Sequence, residues 1–114
     1  MKLYGIKNCN TVKKARTWLD EHGHAIPFHD FKKDGIDLDL LAGWLKRANW
    51  QALVNRQGTT WRKLSEEEKA AVCDASSAMR LMLEKPSVIK RPVLEFDDRI
   101  ILGFDEKTYT ECFK

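Results

Sequence analysis

An α/β fold with a helical middle is what this sequence predicts, and three observations predict it. A short apolar run, Leu3 to Ile6, is followed by a helical pattern and then by a second strand-like run, Pro27 to Phe31. The stretch from about Asp37 to Glu84 is helical in its spacing and carries several helix starts. The last third returns to two short β-rich runs, Val93 to Phe96 and Ile100 to Gly103, before a terminal helical pattern. The predicted order is β-α-β, helices, β-β-α.

Each element has a local reason. The first helix spans about Thr11 to His22, with Val12, Ala15 and Leu19 on one face, and Gly23 is a suitable stop. Two strands joined by a helix run parallel with a right-handed crossover, so the N-terminal third reads as a β-α-β unit. In the middle block Asp37 caps a helix bearing Leu38, Leu41 and Leu45. Ser65 and Glu68 form a capping box before Ala71 and Val72. Ser76 or Ser77 starts a further helix with Met79, Met82 and Leu83, ended by Pro86. Trp44, Trp50 and Trp61 read as core anchors. Asp97, Asp98 and Arg99 make a tight hairpin connection, and Asp105 caps a short last helix with Tyr109, Cys112 and Phe113. With no internal repeat, linker or low-complexity segment, residues 1–114 are expected to be one domain with a helical insertion at about 37–85.

Composition bounds the function. The chain has 114 residues, 43% hydrophobic and 32% charged, enough for a core without disulfide or metal staples. No apolar run approaches the roughly 20 residues of a membrane span, and no signal-peptide pattern opens the chain, so a soluble, cytoplasmic protein is expected. The net charge of +3 is spread among 17 acidic residues, which does not indicate nucleic-acid binding. Three widely spaced cysteines, Cys9, Cys73 and Cys112, argue against a disulfide framework and suit a reducing compartment. His22, His24 and His29 straddle a turn and a strand without a cysteine pair, so no metal site is assigned.

Cys9 carries the most chemical information. It stands at a strand-to-helix turn, where a helix N-terminus offers unpaired N–H groups and partial positive charge. Lys13, Lys14 and Arg16 follow it, and Asn8, Asn10 and Thr11 supply turn and capping chemistry. A thiol placed there has a lowered pKa; a small buried cysteine is the alternative. Cys73, in a helical pattern, and Cys112, in the terminal helix, read as structural. Arg91-Pro92 is either an exposed turn or part of a site, and Arg56 is equally open by itself.

A cysteine after the first strand and a proline opening the third is the layout of a thioredoxin-like fold. Three segments carry a closer match: Tyr4-Gly5-Ile6-Lys7-Asn8-Cys9-Asn10-Thr11-Val12-Lys13-Lys14-Ala15, the pair Asn55-Arg56, and Lys85-Pro86-Ser87-Val88-Ile89-Lys90-Arg91-Pro92-Val93. Together they resemble the family of glutaredoxin-coupled arsenate reductases (ArsC) and Spx-type regulators, nearest to its YffB-type thiol reductases. The resemblance implies that Cys9 is the catalytic nucleophile and Pro92 a cis-proline facing it. It further implies that Asn8, Thr11, Lys13, Arg56 and Arg91 bind substrate or glutathione.

Two departures choose among the branches. Gly103-Phe104 stands where the arsenate reductases carry a further arginine, and Val12 stands where an Spx-type switch has its second cysteine. The expected activity is therefore a glutathione-dependent thiol-disulfide reductase with one nucleophilic cysteine. Glutaredoxin-coupled arsenate reduction and Spx-like binding to RNA polymerase are the alternatives. Glutathione is the expected co-substrate with no tightly bound cofactor, glutaredoxin is a possible partner, and the chain is expected to act as a monomer.

Overall fold

The structure is a computed structural model that describes residues 1–113. Strand β1 (Lys2–Gly5) buries Leu3, Tyr4 and Gly5. Helix α1 (Asn10–Glu21) buries Val12, Ala15, Trp18 and Leu19, a spacing that keeps all four on one face. It stops where the sequence indicates. Gly23 takes a φ of 75°, its N–H donates to Asp20, and His24 N–H donates to the Leu19 carbonyl.

Strand β2 (Phe28–Asp30) is shorter than the pattern suggests, because Phe31 opens helix α2 (Phe31–Asp34) instead of continuing the strand. The Asp30 carboxylate accepts from Lys32 N–H and the Asp34 carboxylate from Asp30 N–H, offering the backbone a turn in place of a ladder. Strands β3 (Val93–Glu95) and β4 (Ile100–Leu102) form the expected hairpin, and helix α8 (Glu106–Cys112) is capped by Asp105.

The sheet order is β2-β1-β3-β4, with β1 parallel to β2 and antiparallel to β3. Register aligns Phe28, Leu3, Leu94 and Ile101 across all four strands. That row packs with Ala15, Trp18, Leu19 and Tyr109 into one core, at roughly 1.5–3 kcal/mol for each large apolar side chain fully buried. The sheet, α1, α2 and α8 make one compact unit, Met1–Asp34 together with the chain from Arg91 onward.

Gly35–Lys90 is a second compact unit. It holds α3 (Leu38–Arg47), α4 (Trp50–Leu53), α5 (Thr59–Arg62), α6 (Glu66–Ala71) and α7 (Ala75–Glu84), then a 3-10 turn at Pro86–Val88. Asp37 caps α3 by accepting from Leu40 N–H, and Ser65 with Glu68 forms the capping box of α6. The start of α7 differs from expectation. Asp74 is its cap, and Ser77 is the answering member of a second capping box, because the Asp74 carboxylate accepts from both the Ser77 N–H and its hydroxyl. Leu41, Trp44, Leu53, Ala78, Met82, Val88 and Ile89 form the interior. Trp44 is the one tryptophan of the expected three that is fully buried; Trp50 and Trp61 ride on single-turn helices and stay half-buried. An antiparallel bridge between Val54 and Ile89, flanked by Asn55 N–H to Val88 and Lys90 N–H to Leu53, joins the segment after α4 to the segment after the 3-10 turn.

Candidate active site

After β1 the chain turns tightly: Cys9 N–H donates to the Ile6 carbonyl at 3.1 Å, and the Cys9 carbonyl accepts from Lys13 N–H at 3.0 Å. Cys9 has extended backbone angles (φ −82°, ψ 127°) and is itself the N-cap of α1. The capping role expected of Asn8, Asn10 or Thr11 therefore falls to the thiol residue, with Asn10 already in the helix and Asn8 exposed on the turn. Gly5 makes this seating possible. A Cβ on Gly5 would lie 2.7 Å from Val12 Cγ2, so the strand and the first turn of α1 meet at a distance only glycine allows.

The thiol closes no cap hydrogen bond in its neutral form. Burial pushes its pKa up, but the N–H groups of Val12 and Thr11, the charge of Arg91 and a hydrogen bond from that guanidinium stabilise the thiolate and hold the pKa below its ordinary value. The first turn of α1 contains no acidic residue to offset the helix dipole, so the positive end stays available to the sulfur.

Arg91 is half-buried and directly precedes Pro92, a cis-proline as the resemblance implies, at the entry to β3. The buried Pro92 is tied to the hairpin by Gly103 N–H, which donates to its carbonyl at 2.9 Å. Cys9, the Thr11 backbone and Arg91 thus come together within the first unit. Lys13 is exposed one helical turn along α1 and lines a surface groove. Arg56 belongs to the second unit, exposed, with its guanidinium 5.7 Å from the Trp50 ring centre. Two contributors have no signature of their own in the sequence. The Val12 N–H is a backbone donor, identifiable only once the helix start is known to the residue, and Gly5 acts through the side chain it lacks.

All three cysteines are free thiols. Cys73 is exposed in the connection between α6 and α7, outside any helix, contrary to its helical pattern. Its N–H is drawn instead to the Ser77 hydroxyl. Cys112 is half-buried at the end of α8. Each histidine is engaged in ring packing: His22 lies 4.0 Å from Trp18, His24 4.0 Å from Phe113 and His29 5.0 Å from Tyr4. Among the described residues no group of three or more His, Cys, Asp or Glu side chains is placed to hold a metal ion, and no helix is long and apolar enough to cross a membrane.

A central parallel β-α-β, an antiparallel hairpin and a thiol at the N-terminus of the first helix define a thioredoxin-like α/β protein. Residues 4–112 match the ArsC family, and the chain belongs to it. It is similar to a solved YffB protein at 52% identity, covering 98% of this chain and 97% of that one with a TM-score of 0.92. It is also similar to an arsenate reductase (ArsC) related protein from Brucella melitensis, at 51% identity over 100% and 96% of the two chains and a TM-score of 0.79. An uncharacterized protein of Haemophilus influenzae is 42% identical over 97% of this chain and 96% of its own. More distant is the global transcriptional regulator Spx of Streptococcus agalactiae, 26% identical over 91% of this chain and 76% of its own.

Proposed function

We propose that the protein is an oxidoreductase that reduces mixed disulfides at Cys9 with glutathione as reductant. One observation carries the reading: a half-buried thiol at the N-cap of α1 whose ionised form is favoured by the Val12 and Thr11 N–H groups and by Arg91. A thiolate in that setting is a nucleophile at neutral pH. In the first step it attacks the glutathione sulfur of a mixed disulfide, so that a Cys9–glutathione bond forms while the S–S bond breaks and the substrate leaves as a thiolate that takes up a proton. In the second, the thiolate of another glutathione attacks the bound glutathione sulfur, releasing oxidised glutathione and restoring Cys9. The substrate gains two electrons and two glutathiones become one disulfide, so no second protein cysteine takes part. Arg91 would hold the sulfur's charge and accept a carboxylate of the ligand, with Pro92 fixing the neighbouring backbone. Asn8, Thr11, Lys13 and Arg56 remain binding residues on the strength of the family resemblance.

The test is glutathione-coupled reduction of the mixed disulfide of glutathione and 2-mercaptoethanol. Turnover that is abolished in Cys9→Ser is expected; no turnover by the unmutated protein, with a Cys9 pKa of about 8.5, would remove the proposal. Arsenate reduction is the second reading, favoured by the Brucella melitensis relative described as arsenate reductase related. It ranks lower because Gly103-Phe104 offers no arginine for an oxyanion. Arsenate-dependent oxidation of glutathione, lost in Cys9→Ser and requiring glutaredoxin, would reverse that ranking. Recovery of RNA polymerase subunits with the protein, undiminished by Cys9→Ser, would instead favour the regulatory branch.

A further inference from the structure

A groove of about 320 Å³ runs along α1 on the side that begins at the thiol. Cys9, Lys13, Thr17 and Glu21 follow one another at intervals of four residues, so they form one row on the helix, each roughly 6 Å farther along the axis than the last. Lys13, Thr17 and Glu21 all line the groove, together with Lys14 and Trp18 and with Phe104 and Glu106 from the chain entering α8. Its aromatic wall is firmly set. Phe104 and Trp18 both pack edge-on against the fully buried Tyr109, at 4.8 Å and 5.5 Å between ring centres. The charge changes sign along the row, from Lys13 one turn below the thiol to Glu21 three turns below it, while Glu106, which follows the Gly103–Pro92 hydrogen bond, stands at the thiol end with the lysines.

We propose that this groove is a substrate subsite for a peptide whose cysteine carries the disulfide that Cys9 attacks. An acidic group beside that cysteine meets Lys13, a large apolar side chain lies against Trp18 and Phe104, and a basic residue beyond it meets Glu21. The rigid aromatic wall loses little freedom when the apolar side chain arrives, which favours selection by that side chain. The inference rests on the thiol-transfer reading of Cys9 and names the substrate class that reading leaves open.

The experiment uses short peptides of equal length, glutathionylated at a single cysteine. One carries leucine and lysine after the cysteine; two controls replace the leucine with serine or the lysine with glutamate. The unmutated protein is expected to reduce the leucine-lysine peptide with kcat/KM about tenfold or more above the serine control. Thr17→Arg, at an exposed helix position, fills the groove. It should erase that preference while leaving reduction of the glutathione–mercaptoethanol disulfide unchanged. Glu21→Lys, at an exposed position, should reverse the preference for lysine over glutamate. Equal rates on all three peptides, or a preference that survives Thr17→Arg, would overturn the subsite. Failure of every disulfide, the mercaptoethanol one included, would sink the catalytic proposal alone. The groove is then judged by adding S-methylated peptides to Cys9→Ser and following backbone amide resonances. Shifts at Thr17, Phe104 and Glu106 with the leucine-lysine peptide but not the serine control sustain it, and shifts elsewhere or nowhere reject it.

Discussion

Arg91 acts on Cys9 from the entry to β3, while the Val12 and Thr11 N–H groups act from the helix, so the two influences can be separated by mutation. Arg91→Ala is expected to raise the Cys9 pKa and Arg91→Lys to raise it less, because a lysine keeps the charge and loses the guanidinium geometry. The sign follows from the reactive form. Alkylation proceeds through the thiolate, so a higher pKa moves the midpoint of the iodoacetamide rate profile to higher pH and slows the reaction at neutral pH. Tyr109 offers a second residue-level test. Its hydroxyl is buried without a hydrogen-bond partner, and burial followed by the proximity of Cys112 raises its pKa. Tyr109→Phe should therefore leave urea stability unchanged or raise it by up to about 1 kcal/mol. In the unmutated protein the raised folded pKa means that stability is complete below the ordinary tyrosine pKa and falls as pH rises above it; Tyr109→Phe should flatten that fall. Cys9 was legible in the sequence because strand, turn and basic helix surround it. The hydroxyl of Tyr109 was not, because an orphaned polar atom is defined by neighbours distant in the chain.

At the scale of elements, Gly5 and the helix caps decide where backbone and chemistry meet. Gly5→Ala would drive a methyl group against Val12, a stiff branched side chain that cannot swing aside. A loss of about 1–3 kcal/mol in chemical denaturation is expected, with slower Cys9 alkylation as the first turn of α1 is displaced. The caps of α6 and α7 carry a pH dependence. Glu68 is held below the usual carboxylate range by the Ser65 N–H, and Asp74 by the Ser77 N–H and hydroxyl. Depressed folded pKa values mean that their contribution is present above the unfolded carboxylate pKa and is lost as pH falls through the folded one. Acidification should thus increase amide hydrogen exchange at the starts of α6 and α7, and Asp74→Asn should blunt the effect at α7. Capping motifs of this kind are local, which is why Asp37, Ser65, Gly23 and Asp105 could be read from the sequence. Where three candidates compete within four residues, as Asp74 does with Ser76 and Ser77, composition alone does not choose. The same limit applies at Phe31, whose apolar side chain suits a strand although neighbouring carboxylates turn the backbone away.

Across the whole molecule, the sheet unit is assembled from two separate stretches of chain, with Gly35–Lys90 folded as its own unit between them. Strand β1 takes β2 as a partner from its own stretch and β3 from the other, so register alone brings Tyr4 opposite Val93. That pairing was legible as an element order but not as a geometry, since contacts so far apart in sequence leave no local pattern. It also makes thiol chemistry a readout of the native state. Brief treatment with oxidised glutathione at mildly acidic pH is expected to leave an adduct on Cys9 ahead of the exposed Cys73, and prior unfolding in urea should equalise the three cysteines by mass spectrometry. The placement of Arg91 on the second stretch has a consequence in time. A ribosome making this chain delivers Cys9 before the helical unit and Arg91 only after it, so the growing polypeptide carries a thiol that still lacks its guanidinium partner. Its full reactivity arrives only when the strands that follow the helical unit have been made.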